Sequence, residues 1–172
     1  MVELVNIHFS RVLIKGFYNA LDIGDTLLDM TFLADGGREV STASLQGQKL
    51  VLYFYPKDNT SGCTAEACDF RDSLKDFNNA NTTVIGVSRD SVRKHDNFKA
   101  KNNLPFQLIA DEGGALCDLF GVWKEKKLYG RTYMGIERST FLINETGVLC
   151  EAWRKVRIKG HVASVLAASQ AL

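Results

Sequence analysis

Leu52-Tyr53-Phe54-Tyr55-Pro56-Lys57-Asp58-Asn59-Thr60-Ser61-Gly62-Cys63-Thr64-Ala65-Glu66-Ala67-Cys68 is the stretch around which the rest of the chain is arranged. Residues 50–55 are a nearly continuous apolar run rich in aromatic side chains. This is the pattern of a strand covered on both faces within an α/β sheet. Pro56, which lacks a backbone N–H, ends it. The following residues are polar or small, and from Cys63 the period becomes helical, with Cys63, Ala67, Phe70, Leu74 and Phe77 on one face. A cysteine is thereby delivered to the first turn of a helix.

The first backbone N–H groups of a helix have no internal partner and carry the positive end of its dipole. A thiolate placed there is stabilised, which makes Cys63 a candidate nucleophile. The competing reading is a small apolar cysteine packed at a helix end. Cys68 bears on the choice. Five helical positions set two Cα atoms ~8.6 Å apart, whereas a disulfide needs less than ~7 Å. A redox pair of Cys63 and Cys68 therefore requires the first turns to unwind; on spacing alone, two cysteines that never meet remain a plausible reading.

The chain of 172 residues, 45% hydrophobic with two prolines, is long enough for one domain with a substantial core. With 21 basic and 20 acidic residues it carries a net charge of +1, which disfavours nucleic acid and anionic membrane as partners. Four cysteines are too few for a disulfide-built scaffold and lack the paired spacing of a structural zinc site. His8, His95 and His161 show no ligand spacing either, so no metal is expected. Residues 1–20 form an N-terminal extension whose longest uninterrupted apolar run is Val12-Leu13-Ile14, too short for a signal-peptide core or a membrane span. A cytoplasmic protein with its domain over 21–172 is expected.

In order, residues 30–34 and 38–40 flank Asp35-Gly36-Gly37 and suggest a hairpin. Residues 82–87 and 106–110 read as further strands, and 91–101 as a charged helix. Residues 116–120 read as a short helix, 139–144 and 148–156 as a strand pair, and 161–171 as a closing amphipathic helix that His161 starts. Strands alternating with helices give a central mixed β-sheet flanked by helices. Cys117, between Leu116 and Leu119, and Cys150, which alternates with Val148 and Ala152, read as core residues. Lys124-Glu125-Lys126-Lys127 reads as a solvated loop.

The run Pro56-x-x-x-Thr60-x-x-Cys63 resembles the active-site motif of peroxiredoxins. Cys63 followed by Cys68 is similar to the bacterioferritin comigratory protein, or peroxiredoxin Q, subfamily. Gly86-Val87-Ser88-Arg89-Asp90-Ser91, Gly121-Val122-Trp123-Lys124-Glu125-Lys126-Lys127 and Gly135-Ile136-Glu137-Arg138-Ser139-Thr140-Phe141 extend the likeness from about Leu21 to the C-terminus. Ser61 stands where that subfamily often has proline. The resemblance implies a thioredoxin-like fold and a thiol peroxidase that needs no metal or organic cofactor. Cys63 would attack a hydroperoxide and become a sulfenic acid. Cys68 would then condense with it to an intramolecular disulfide, which thioredoxin or a similar dithiol protein would reduce. A monomer or weak homodimer is expected.

The resemblance also assigns roles that the residues alone leave open. Lowering a thiol pKa from ~8.5 to ~6 raises the thiolate fraction at pH 7 about 30-fold. The accompanying loss of nucleophilicity is about 13-fold at a Brønsted slope of ~0.45. The net gain is only two- to three-fold, so the acceleration must come from donors that stabilise charge as the O–O bond breaks. Thr60 is either a helix-capping threonine or a hydroxyl that touches thiolate and peroxide. Arg138 is either a surface arginine or a guanidinium donating to both. Pro56 would hold the loop and shield the thiolate from water. Glu66 matches a common position of the family, or merely favours the first helical turn. Two other function classes fit the same cysteines: a general thiol–disulfide oxidoreductase of thioredoxin type, and a non-enzymatic redox-sensing protein.

Overall fold

A computed structural model describes residues 20–172, so the expectation for the N-terminal extension falls outside them except for Ala20. The chain runs β1 (Thr31–Leu33), β2 (Glu39–Ser41), β3 (Lys49–Phe54), α1 (Ser61–Asp72), α2 (Leu74–Asn79), β4 (Thr82–Ser88), α3 (Val92–Asn102), β5 (Gln107–Ala110), α4 (Ala115–Leu119), β6 (Trp123–Leu128), β7 (Arg131–Ile136), β8 (Ser139–Ile143), β9 (Leu149–Trp153) and α5 (His161–Ala171).

Every residue of β3 is buried, because this strand lies at the centre of a five-stranded sheet ordered β5-β4-β3-β8-β9. It pairs parallel with β4 and antiparallel with β8. Its side chains alternate between two cores. Leu50, Leu52 and Phe54 pack with Phe120, Phe141 and Ile85 on one face. Val51, Tyr53 and Tyr55 pack with Phe70, Phe98, Leu142 and Val165 on the other. Helices α1, α3 and α5 contribute to that second core, which is where the expected apolar face of Cys63, Ala67, Phe70 and Phe77 is buried. No helix among the described residues is long and apolar enough to cross a membrane.

The structure departs from the sequence reading in three places. The helical face expected through Phe77 is split at Ser73, whose φ of −98° and ψ of 1° divide α1 from α2. The segment around Lys124–Lys127 is not a loop but strand β6, antiparallel to β7. Its charged run shows no apolar alternation, because in this hairpin Trp123 on β6 and Ile136 on β7 are the residues that reach the core. Cys150 lies in β9 but is only half-buried, and its thiol donates to the Val148 carbonyl at 3.4 Å. Cys117 is fully buried as expected, and burial followed by Asp111 pushes its thiol well up.

Candidate functional site

Tyr55 and Pro56 leave the end of β3, and the loop turns at Asn59, whose φ of +61° asparagine tolerates better than most residues. Thr60, with extended φ/ψ of −88° and 152°, is the residue before α1. Cys63 is therefore in the first turn, the position read from the sequence, and is 1% exposed. Arg138 stands at the other end of the site because Ser139 opens β8 opposite Phe54, the last residue of β3. The residue before Ser139 thus arrives beside the point where the cysteine loop departs.

Arg138 Nη2 donates to Cys63 Sγ at 3.3 Å across 75 residues of sequence. Its Nη1 donates to Glu66, which is fully buried. Burial works against the arginine's charge, but Glu66 and the Cys63 sulfur outweigh it and hold its pKa above the usual value. For Glu66 the balance tips the other way. Burial raises the carboxyl to about 7 even though Arg138 pulls it down. Its Oε1 is buried without a hydrogen-bond partner among the described residues. The first-turn role read for Glu66 is corrected here: the residue lies one turn beyond Cys63, on the same face, and grips the arginine. The signal was the i, i+3 spacing from the cysteine, which places the two side chains together on a helix surface.

The other expected site residues take different places. Thr60 is exposed; its hydroxyl donates to the Lys57 carbonyl at 3.0 Å, not to the sulfur, and accepts no capping hydrogen bond from the helix N-terminus. Pro56 is exposed at the strand end. Cys68 is half-buried on an unbroken α1, and both it and Cys63 are free thiols. The structure thus brings Cys63 and Arg138 into contact and leaves Thr60 and Cys68 out of it. Cys63 belongs to the same buried core as Tyr53, Tyr55, Ala67 and Phe70. Over the same first turn, a Cβ at Gly62 would lie 3.2 Å from Ile158 Cδ1 and 3.4 Å from Arg138 Nη2.

A cysteine in the first turn of a helix, on a sheet of thioredoxin-like order and with a guanidinium donating to sulfur, defines a thiol-based redox protein. The AhpC/TSA family model matches residues 23–152. Peroxiredoxin Bcp of Bacillus subtilis is 51% identical over 146 residues, 85% of this chain and 93% of that one. Peroxiredoxin Bcp of Xanthomonas campestris is 46% identical over 151 residues, 88% of this chain and 94% of that one. A solved Xylella fastidiosa PrxQ mutant superimposes with a TM-score of 0.85 at 44% identity, covering 89% of this chain and 98% of that one. The chain belongs to the AhpC/TSA family, with Bcp/peroxiredoxin Q proteins as its relatives and a thioredoxin-like fold.

Proposed function

We propose that this protein is a thiol peroxidase of 21–172 that reduces hydrogen peroxide and organic hydroperoxides. The observation that carries the reading is the 3.3 Å contact of Arg138 Nη2 with Cys63 Sγ. A guanidinium held there can stabilise the thiolate and then share its N–H groups with a peroxide oxygen. A solved Xanthomonas campestris bacterioferritin comigratory protein, 46% identical with a TM-score of 0.82, is described for its alkyl peroxide reduction activity. That description and the family support the same chemistry here.

The Cys63 thiolate attacks the terminal peroxide oxygen, an S–O bond forms as the O–O bond breaks, and the leaving oxygen takes a proton and departs as water or alcohol. Cys63 is then a sulfenic acid. Cys68 displaces its hydroxyl as water, giving a Cys63–Cys68 disulfide. Because an intact helix holds those Cα atoms ~8.6 Å apart, α1 unwinds in its first turns for this step. A dithiol protein of thioredoxin type reduces the disulfide and is itself oxidised. Thr60 and Pro56 act in this scheme by framing the loop, Thr60 turning its hydroxyl from Lys57 toward the peroxide when substrate is bound. The protein works in the cytoplasm as a monomer or weak homodimer, without metal or organic cofactor.

The test is peroxide consumption with thioredoxin and its reductase. Cys63→Ser should be inactive. Cys68→Ser should form sulfenic acid once, then lose recycling and overoxidise. Unimpaired multiple turnover by Cys68→Ser would remove it as the resolving thiol. A general disulfide exchanger has no use for Arg138, so failure of one equivalent of peroxide to oxidise Cys63 within seconds would overturn the peroxidase reading.

A further inference from the structure

Asp58 occupies the middle of the loop between Pro56 and Thr60, yet it is buried, with 5% of its surface exposed. A buried carboxylate in an active-site loop needs partners, and the fold supplies them from two directions. Tyr55, at the end of β3, donates its hydroxyl to Asp58 Oδ1 at 2.6 Å. His95, on α3, faces Asp58 Oδ2 with Nδ1 at 2.8 Å. The backbone N–H of Asp58 donates to Asp90 Oδ2 at 2.9 Å. Asp90 in turn accepts from the Ser88 hydroxyl at 2.8 Å and faces Lys94 Nζ at 3.4 Å.

The other nitrogen of His95, Nε2, is 3.0 Å from the Ile109 carbonyl on β5. A carbonyl only accepts, and so does an ionised carboxylate. A neutral imidazole has one N–H and could satisfy only one of the two, leaving a buried acceptor opposite a buried lone pair. Where both ring nitrogens donate, every acceptor around the ring is satisfied and His95, 0% exposed, is an imidazolium. Burial opposes that charge, and Asp58 outweighs it, so its pKa stands above the usual value. The Tyr55 ring packs beside it and in turn against Phe98.

We propose that His95 is a positioning residue for peroxide reduction: through Asp58 it pins the Pro56–Thr60 loop to α3 and β5, fixing where the first turn of α1 presents Cys63. This rests on the peroxidase reading above. Arg138 holds Cys63 from the start of β8, and the pin holds the preceding loop from α3 and β5. His95 never touches the reacting atoms. The groups facing it are Tyr55 from the β3 end, Asp58 from the loop, Asp90 from the turn before α3, and the Ile109 carbonyl from β5.

The experiment is stopped-flow oxidation of Cys63 by hydrogen peroxide, run across pH on wild type, His95→Phe and Asp58→Asn, with folding followed by thermal melting. His95→Phe keeps the ring packing and removes both donors. It should stay folded and react up to ~10²-fold more slowly, the scale of a small misplacement of reacting groups. In Asp58→Asn, a neutral His95 can donate to Ile109 and accept from the asparagine amide, so all the hydrogen bonds return without charge. That variant should recover most of the rate lost in His95→Phe. It should also lack the alkaline fall expected of wild type as His95 loses its charge. A folded His95→Phe that reacts at the wild-type rate overturns the proposal. Where His95→Phe does not fold, superimposable pH profiles for wild type and Asp58→Asn overturn it. Failure of the peroxidase reading looks different, because wild type itself would then leave Cys63 reduced.

Discussion

Arg138 uses one planar fork for two bonds, Nη1 to Glu66 and Nη2 to Cys63. A lysine has a single point charge on a flexible stem and cannot span both acceptors in a fixed geometry. Arg138→Lys should therefore keep the positive charge near the sulfur and still lose ~10²-fold or more in the rate of Cys63 oxidation, the usual cost of a misplaced donor at a developing charge. Single-turnover kinetics on the folded variant would check this, and a near wild-type rate would mean that charge alone suffices. Cys63 itself could be singled out from its neighbours in sequence. Glu66 was legible only as a neighbour of Cys63 on the helix surface; that it is buried and grips Arg138 depends on what the helix packs against.

At the scale of the element, the close approach of β4 to its neighbours depends on Gly86. A Cβ there would lie 2.7 Å from Leu108 Cδ2 and 2.8 Å from both Cζ and the hydroxyl oxygen of Tyr53. Tyr53 is itself wedged between Tyr55 and Phe70. Gly86→Ala should thus overpack the core behind Cys63 and cost ~1–3 kcal/mol of stability, read as a lower urea midpoint with an unchanged slope. β3, α1 and α5 were legible because their periodicities coincide with burial. β6 and β7 were not, since a strand that packs little against the core shows no alternation. The hairpin is closed instead by Tyr129 and Gly130, both at positive φ. That tight turn was the signal in the sequence, since glycine at such a position suits a two-residue hairpin.

For the molecule as a whole, two buried groups near Arg138 make opposite demands on pH. Glu66 is raised from 4.5 to about 7, chiefly by burial, so its neutral form is favoured in the folded state. The stability linked to it is full below about 4.5 and drains as pH rises through about 7. His161 bonds Thr140 Oγ1 through Nε2 at 2.8 Å. Burial, followed by the charge of Arg138, lowers its pKa from 6.5 to about 4. Its stability is present above 6.5 and is lost as pH falls toward about 4. The two slopes oppose each other between pH 4.5 and 6.5. Denaturant midpoints measured across that window should fall more steeply on acidification in Glu66→Gln than in wild type. In His161→Gln they should instead rise, and parallel curves for the three proteins would count against both assignments.

The sequence by itself determined a buried strand, a polar loop and a helix that begins just before a cysteine, because those features follow from neighbouring residues within a few turns of chain. It also placed Cys117 in the core and began the last helix at His161. Only the tertiary structure decided what surrounds the sulfur. Arg138 lies 75 residues from Cys63 and His95 lies 37 from Asp58. No local preference encodes those distances. They close because β3 sits between β4 and β8, so that strand pairing carries the start of β8 to the end of β3, and α3, which follows β4, packs beneath the same loop.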